Sequence, residues 1–333
     1  MFKKIAVPLD GSALAEKALP FAIGLAHQLN ASLLLLRVTH LPVLLTDTPE
    51  HELGSLEVAE SYLAGVKNTI TNPALPNSLE AARVEVVVVY GETAPELIEM
   101  APFEKADLLV MTTHGRTGIG RLLGSVANKV LRQSKLPVLL IKPEMSKTRP
   151  FLEETLTGNS YFNRGDNKIL VTLDGTPEAE AILEPAIQMA KETEATIHLL
   201  QVVMPFTPVD FGGGYYYGTG LNLTDDTEIR TTEATQYLSH IQERLSQQEV
   251  QTTTLVKIGN PAEEIVAYAG VVKPGMLALA THARNTVGKF FMGSVADEVL
   301  HKSHLPLLLV HTAAPAKVLR ETEILEKYST SKG

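Results

Sequence analysis

The sequence contains no cysteine and no tryptophan, and aromatic residues make up only 5% of its 333 positions. Without cysteine there is no disulfide framework, thiolate metal site or cysteine nucleophile. With so few rings the core has to be assembled from Val, Leu, Ile and Ala, the composition of strands buried on both faces of a parallel sheet. Long apolar runs are missing as well. No stretch approaches the roughly 18 apolar residues of a membrane span. The opening MFKKIAVPLDGSALAEK breaks its apolar run at Pro8 and Asp10, too early for a signal peptide. A soluble, cytoplasmic protein is the expectation.

Several catalytic signatures are also absent. No Gly-x4-Gly-Lys-Ser/Thr phosphate loop occurs, no Gly-x-Gly-x-x-Gly follows the first apolar run, and no Ser/His/Asp arrangement is apparent. An efficient ATPase is not supported, and at most slow ATP hydrolysis at a binding site is left. The net charge is −9, unevenly placed. Residues 1–146 hold 13 Lys/Arg against 15 Asp/Glu, a net of −2, whereas residues 167–312 hold 9 against 17, a net of −8. So acidic a second half speaks against nucleic acid as a partner.

What the chain does contain is one long internal repeat. KKIAVPLDGSALAEKAL returns as NKILVTLDGTPEAEAIL, VVVYGETAPELI as LVKIGNPAEEIV, LLVMTTHGR as LALATHAR, and GSVANKVLRQSKLPVLLI as GSVADEVLHKSHLPLLLV. The offset drifts only from 164 at Asp10/Asp174 through 168 at Gly91/Gly259 to 169 at Gly124/Gly293, and the order of segments never changes. This is a duplication of a whole domain rather than a solenoid of short units. The reading gives a first domain over 1–143, a linker over 144–166, a second domain over 167–312 and a tail over 313–333. Phe151, Tyr161 and Phe162 suggest a linker packed on a domain, FGGGYYYGTG is a variable loop or a lid, and Ala316–Tyr328 has the pattern of a short amphipathic helix.

Each copy alternates aliphatic strands with helical stretches. In the first copy these are Lys4–Leu9, a helix over Ala13–Leu29, Ser32–Val38, a helix over Glu50–Thr71, Val84–Val89, a helix from Pro95, Leu108–Thr112, a helix over Leu122–Arg132, and Pro137–Ile141. Strict alternation implies a parallel sheet with helices on both faces. Right-handed crossovers make the doubly wound α/β fold the default. In such a sheet ligands sit beyond the carboxyl ends of the strands. Asp10 ends the first strand, and the loop from His114 to Gly124 follows the fourth. Gly124-Ser125 opens a helix whose free N–H groups and dipole favour phosphate, and Arg116 and Arg121 offset anionic charge.

Val7-Pro8-Leu9-Asp10-Gly11-Ser12, His114-Gly115-Arg116-Thr117-Gly118, Gly124-Ser125-Val126-Ala127 and Leu136-Pro137-Val138 together resemble the universal stress protein family, over nearly all of both copies. The resemblance implies two tandem five-stranded, Rossmann-like sheets of the adenine nucleotide alpha hydrolase type, with strand order 3-2-1-4-5. It further implies an adenine nucleotide ligand, ATP or AMP with or without Mg²⁺, and a stress-response role exerted through protein contacts. The acidic residue matching Asp10 then meets the adenosine moiety, and the backbone near Val38 lines the adenine pocket. Carried over, the first site comprises Pro8, Asp10, Val38, Met111, Thr112, His114, Gly115, Arg116, Gly124, Ser125 and Val126. The counterparts in the second copy are Asp174, Val202, Ala280, Ala283, Gly293, Ser294 and Val295. Pairing of the two last strands, Val138–Ile141 with Pro306–Val310, is also implied, because an edge so aliphatic is otherwise an aggregation liability. Association into a homodimer is left open.

Both copies depart from the family's Gly-x2-Gly-x9-Gly-Ser/Thr loop. The first has Thr112 at the first glycine, keeps Gly115, and shortens the nine-residue spacing to eight. The second has Ala280 and Ala283 at the two early glycines and keeps the spacing. If those positions demand left-handed backbone, each non-glycine costs roughly 1–2 kcal/mol, so that two losses weaken binding by about one to three decades. The site is therefore expected mainly in the first copy. Arg284 and Lys289 stand where Arg116 and Arg121 do, so these cations do not separate the copies.

Every position also has a plain structural reading. Asp10 and Asp174 fit turns or helix caps, Gly124-Ser125 and Gly293-Ser294 fit helix starts capped by serine, and His114 and His282 fit packing roles. His301, His304 and His311 fit charge complementation near a helix C-terminus better than a metal site. A ligand-free interaction scaffold with degenerate loops is the alternative to nucleotide binding.

Overall fold

The computed structural model describes residues 2–39, 49–113, 123–142, 155–156, 167–205, 223–282 and 293–312, with side chains left aside at 49–54, 223–225 and 282. In the first half the elements are β1 (Lys4–Pro8), α1 (Ala13–Glu16), α2 (Leu19–Gln28), β2 (Ser32–Thr39), α3 (Pro49–Ile70), β3 (Val84–Tyr90), α4 (Thr93–Phe103), β4 (Leu108–Thr112), α5 (Ser125–Gln133) and β5 (Val138–Ile141). The second half repeats them as β6 (Lys168–Leu173), α6 (Pro177–Glu180), α7 (Leu183–Thr193), β7 (Thr196–Val203), α8 (Leu223–Ser246), β8 (Thr252–Ile258), α9 (Pro261–Val272), β9 (Met276–His282), α10 (Ser294–Lys302) and β10 (Leu307–Thr312).

The single helix expected over Ala13–Leu29 is two. Pro20 carries no N–H to continue the ladder from Glu16, so α1 closes at a turn over Lys17 and α2 restarts with Pro20 in its first turn.

Strand order is β3-β2-β1-β4-β5-β10-β9-β6-β7-β8. Each half has the expected 3-2-1-4-5 order, all parallel within itself, and the halves meet through one antiparallel pair. That pair sets Leu307, Leu308 and Leu309 opposite Leu140, Leu139 and Val138. The two five-stranded sheets thus form one continuous ten-stranded sheet, and each aliphatic last strand covers the edge of the other.

Alternation along the strands separates two cores, one on each face. Leu139, Ile141 and Leu308 face the layer holding α2, α3, α7 and α8, while Val138, Leu140, Leu307 and Leu309 face α4, α5, α9 and α10. Both cores run unbroken across the β5–β10 seam. Lys142, only 7% exposed, crosses the same seam, and its Nζ donates to the carbonyls of His301 and Ser303 at the end of α10. A cation there satisfies carbonyls that a helix end leaves open.

Within the expected linker, Leu156 is buried on the first half, and Asn77 donates from its backbone N–H to Leu156 O and from its side chain to Thr155 O. Phe151, Tyr161, Phe162, the FGGGYYYGTG segment and Ala316–Tyr328 lie outside the described residues. No helix among the described residues is long and apolar enough to cross a membrane.

Candidate functional site

The chain leaves β1 through Asp10 and Gly11, with Gly11 at φ 84°, a conformation that favours glycine. One Asp10 oxygen, Oδ1, accepts from Ser12 N at 2.9 Å, and Ser12 Oγ accepts from Ala15 N to cap α1. The cap of the following helix is therefore Ser12 and not Asp10. Asp174, Gly175 and Thr176 repeat the arrangement, with Gly175 at φ 84° and Thr176 capping α6. The aspartates are turn formers at the carboxyl ends of β1 and β6, poised above the sheet where the strand order reverses.

At the exit of β4, Thr113 N donates to Ile141 O, and Gly124 N returns to Thr113 O at 2.7 Å. These bonds tie Gly124 to the end of β4 and the end of β4 to β5. Gly124 is the N-cap of α5 with φ −64° and no side-chain cap, and Ser125 is the first helical residue. Serine capping is thus not realised here, nor at Gly293-Ser294, where Gly293 caps α10 in the same way. The left-handed cost expected for non-glycines does not arise at Thr112 or Ala280. Both are strand residues, in β4 and β9, and neither has positive φ.

The consequence of this geometry is a cavity of about 580 Å³ above the first half, within the range of small-molecule sites. Pro8, Asp10, Val38, Met111, Thr112, Gly124, Ser125 and Val126 all line it. His114, Gly115, Arg116 and Arg121 lie outside the described residues, as do Ala283, Arg284 and Lys289 in the second half. Asp174, Val202, Ala280, Gly293, Ser294 and Val295 occupy the equivalent ends of β6, β7, β9 and α10. His301 Nδ1 contacts Asp297 O one turn back in α10.

The sequence reading missed several wall residues, among them Arg37, Ser55, Val58, Thr93 and Thr113. Arg37 and Thr113 sit beside the motif residues Val38 and Thr112, and that adjacency was the available signal. Ser55 and Val58 come from α3, whose placement depends on packing and carries no local motif.

A tyrosine and a glutamate are paired in each half. Tyr62 Oη donates to Glu16 Oε1 at 2.9 Å, and Tyr237 Oη donates to Glu180 Oε1 at 3.3 Å. Burial first, and then the adjacent carboxylate, pushes both phenols well above their ordinary range. The accompanying arginines differ. Arg37 stands over the Tyr62 ring, 4.9 Å from its centre, whereas Arg244 Nη2 bonds Glu180 Oε2 at 2.9 Å.

The fold and the crevice define a class: doubly wound α/β modules in tandem, the first with a cavity at the carboxyl ends of its strands. The sequence model of the universal stress protein family matches twice, over residues 1–142 and 167–311. The chain belongs to the universal stress protein family. A universal stress protein of Methanocaldococcus jannaschii is 32% identical over 144 residues, covering 43% of this chain and 83% of that protein. One from Mycobacterium tuberculosis is 24% identical over 323 residues, 92% of this chain and 94% of its own, so the tandem arrangement has a full-length counterpart. The crystal structure of a universal stress protein from Archaeoglobus fulgidus has the same fold, with a TM-score of 0.63 at 20% identity over 92% of this chain and 96% of that one.

Proposed function

We propose that the first half is an adenine-nucleotide-binding module, for ATP or AMP with or without Mg²⁺, and that its ligand state alters contacts with a protein partner. The observation that carries this reading is the cavity itself, which gathers Asp10, the Val38 backbone and the uncapped start of α5 around one volume. Asp10 meets the ribose hydroxyls as an acceptor. The wall at Val38 and Val58 takes the base, and the N–H groups at Ser125 and Val126 meet phosphate. His114, Gly115 and Arg116 complete the phosphate loop in this reading. The working units are residues 1–143 and 167–312, with 144–166 as linker and 313–333 as tail.

Binding is the proposed function, with at most slow ATP hydrolysis beside it. The test is calorimetric titration of the full chain with ATP and magnesium, beside Gly124→Asp and Gly293→Asp. Gly124→Asp puts a carboxylate at the α5 N-terminus, where phosphate is to sit, and is expected to abolish ATP binding. Gly293→Asp is expected to leave it intact. Absence of ATP binding in the parent protein would replace this reading with the ligand-free scaffold.

A further inference from the structure

We infer that the outer edge of β3 is a pairing surface for a second copy of this chain, joined antiparallel, β3 to β3. The sheet ends at β3 on one side and at β8 on the other, and neither strand has an outer neighbour among the described residues. Such an edge exposes unpaired N–H and C=O groups, and proteins blunt it with polar or charged side chains. The two edges differ in this respect. β3 reads VEVVVVY, whereas β8 reads TTTLVKI. At the offset of 168 that relates Gly91 to Gly259, Thr254 and Lys257 of β8 stand where Val86 and Val89 stand in β3. Lys257 pairs with Glu264 at 3.1 Å, and Gln242 of α8 donates to Thr252 O at 2.6 Å. The edge at β8 is protected.

The edge at β3 lacks these devices. Its one charge, Glu85, turns back across β2 to Lys4 of β1 at 2.8 Å. Val86, Val87, Val88 and Val89 are all partly exposed. Val86 and Val88 pack toward the layer of α3, Val87 and Val89 toward that of α4, so both cores run out to the edge. Gly91 N donates to Thr39 O, which fixes the direction of the backbone groups. Glu85, Val87 and Val89 turn theirs inward to β2, and Val86 and Val88 present theirs outward. Those outward groups bond nothing among the described residues.

A second copy fits this edge because the strand is self-complementary. With Val87 on a two-fold axis, Val86 of one copy exchanges hydrogen bonds with Val88 of the other, and Glu85 lies opposite Val89. With Val88 on the axis, Val87 lies opposite Val89 and Val86 opposite Tyr90. Both registers set valine against an apolar residue, and neither opposes like charges. The pair closes on itself as a two-fold dimer, whereas β3 against β8 would run on as an open filament. The chain already contains such a joint. β5 and β10 are homologous last strands, paired antiparallel, with both cores continuous across the seam. β3 offers the same elements, an aliphatic strand with apolar side chains on both faces, to an identical chain.

The test reads the mass of the full chain by sedimentation velocity and amide hydrogen exchange at Val86 and Val88, in the parent and two variants. Val88→Pro removes an outward N–H and no hydrogen bond of the fold, a change that an edge strand tolerates. The double variant Val86→Thr, Val89→Lys gives β3 the residues of β8, and Glu96 is placed for the new lysine as Glu264 is for Lys257. Circular dichroism checks that each variant is folded. The parent is expected to sediment as a dimer with slow exchange at Val86 and Val88. Both variants are expected to sediment as monomers, with exchange at residue 86 rising to that of an unpaired amide. A monomeric parent, or a dimer that persists in either folded variant, overturns the inference. Fast exchange at Val86 and Val88 in a parent dimer overturns it as well, since the joint then lies elsewhere. If Val88→Pro does not fold, the double variant decides alone.

Discussion

At Asp10 one carboxylate oxygen closes the turn onto Ser12 N, so the residue serves the backbone before it serves any ligand. Asparagine retains an Oδ1 acceptor but not the charge. Asp10→Asn is therefore expected to keep thermal stability close to that of the parent while weakening ATP binding about tenfold or more in calorimetry. Asp10→Ala loses the turn as well, and its melting temperature should fall. If both variants bind ATP like the parent, Asp10 is a turn residue only. Gly91 poses a different constraint. Its φ of 145° is one that side chains rarely adopt, and a Cβ there runs into the Glu96 side chain. Gly91→Ala is expected to cost about 1–3 kcal/mol in denaturant unfolding. Gly259, at φ 153° against Glu264, is expected to behave alike.

Among the elements, the β5–β10 pair carries the most consequence for its length. Leu308 is fully buried, paired with Leu139, and part of the core that crosses the seam. Leu308→Asp buries a carboxylate among leucines, and we expect either loss of folded protein or separation of the halves, read as faster proteolysis and a larger hydrodynamic radius. Normal compactness in that variant would show that the pair does not hold the halves together. Lys142→Met tests the same seam more gently. It leaves the carbonyls of His301 and Ser303 without their cation and is expected to cost about 1–3 kcal/mol. Much of this level was readable in advance. The aliphatic runs and their alternation with helical stretches located all five strands of the first half, because buried parallel strands have no polar face to disguise them. The split between α1 and α2 was overlooked although Pro20 announced it, since apolar spacing continued across the break.

Over the whole molecule the two halves share a fold and differ in charge, and two histidines report on its pH response. Burial, aided by Lys168 at His198 and opposed by a Thr281 backbone hydrogen bond at His311, lowers both imidazoles below their ordinary value of 6.5. Each is thus harder to protonate folded than unfolded. The stability they carry is complete above the unfolded value and is lost as pH falls below it. The double variant His198→Gln, His311→Gln should show a shallower decline in melting temperature between about pH 6.5 and pH 5. A decline as steep as the parent's would assign the acid response to other groups.

By itself the sequence determined the duplication, the doubly wound halves and the motif residues at the strand ends, while the strand order within the halves was what the family resemblance implied. The first three follow from periodicity and local turn chemistry, which act over a few residues. The resemblance also implied that the last strands pair, in keeping with aliphatic edges that call for cover. Only the tertiary structure decided the antiparallel register that fuses two sheets into one, and which helix brings Ser55 and Val58 to the cavity. The same holds for the arginines beside the two tyrosine–glutamate pairs, one from a strand and one from a helix. Such pairings join residues far apart in the chain, and packing of whole layers, not any local preference, selects them.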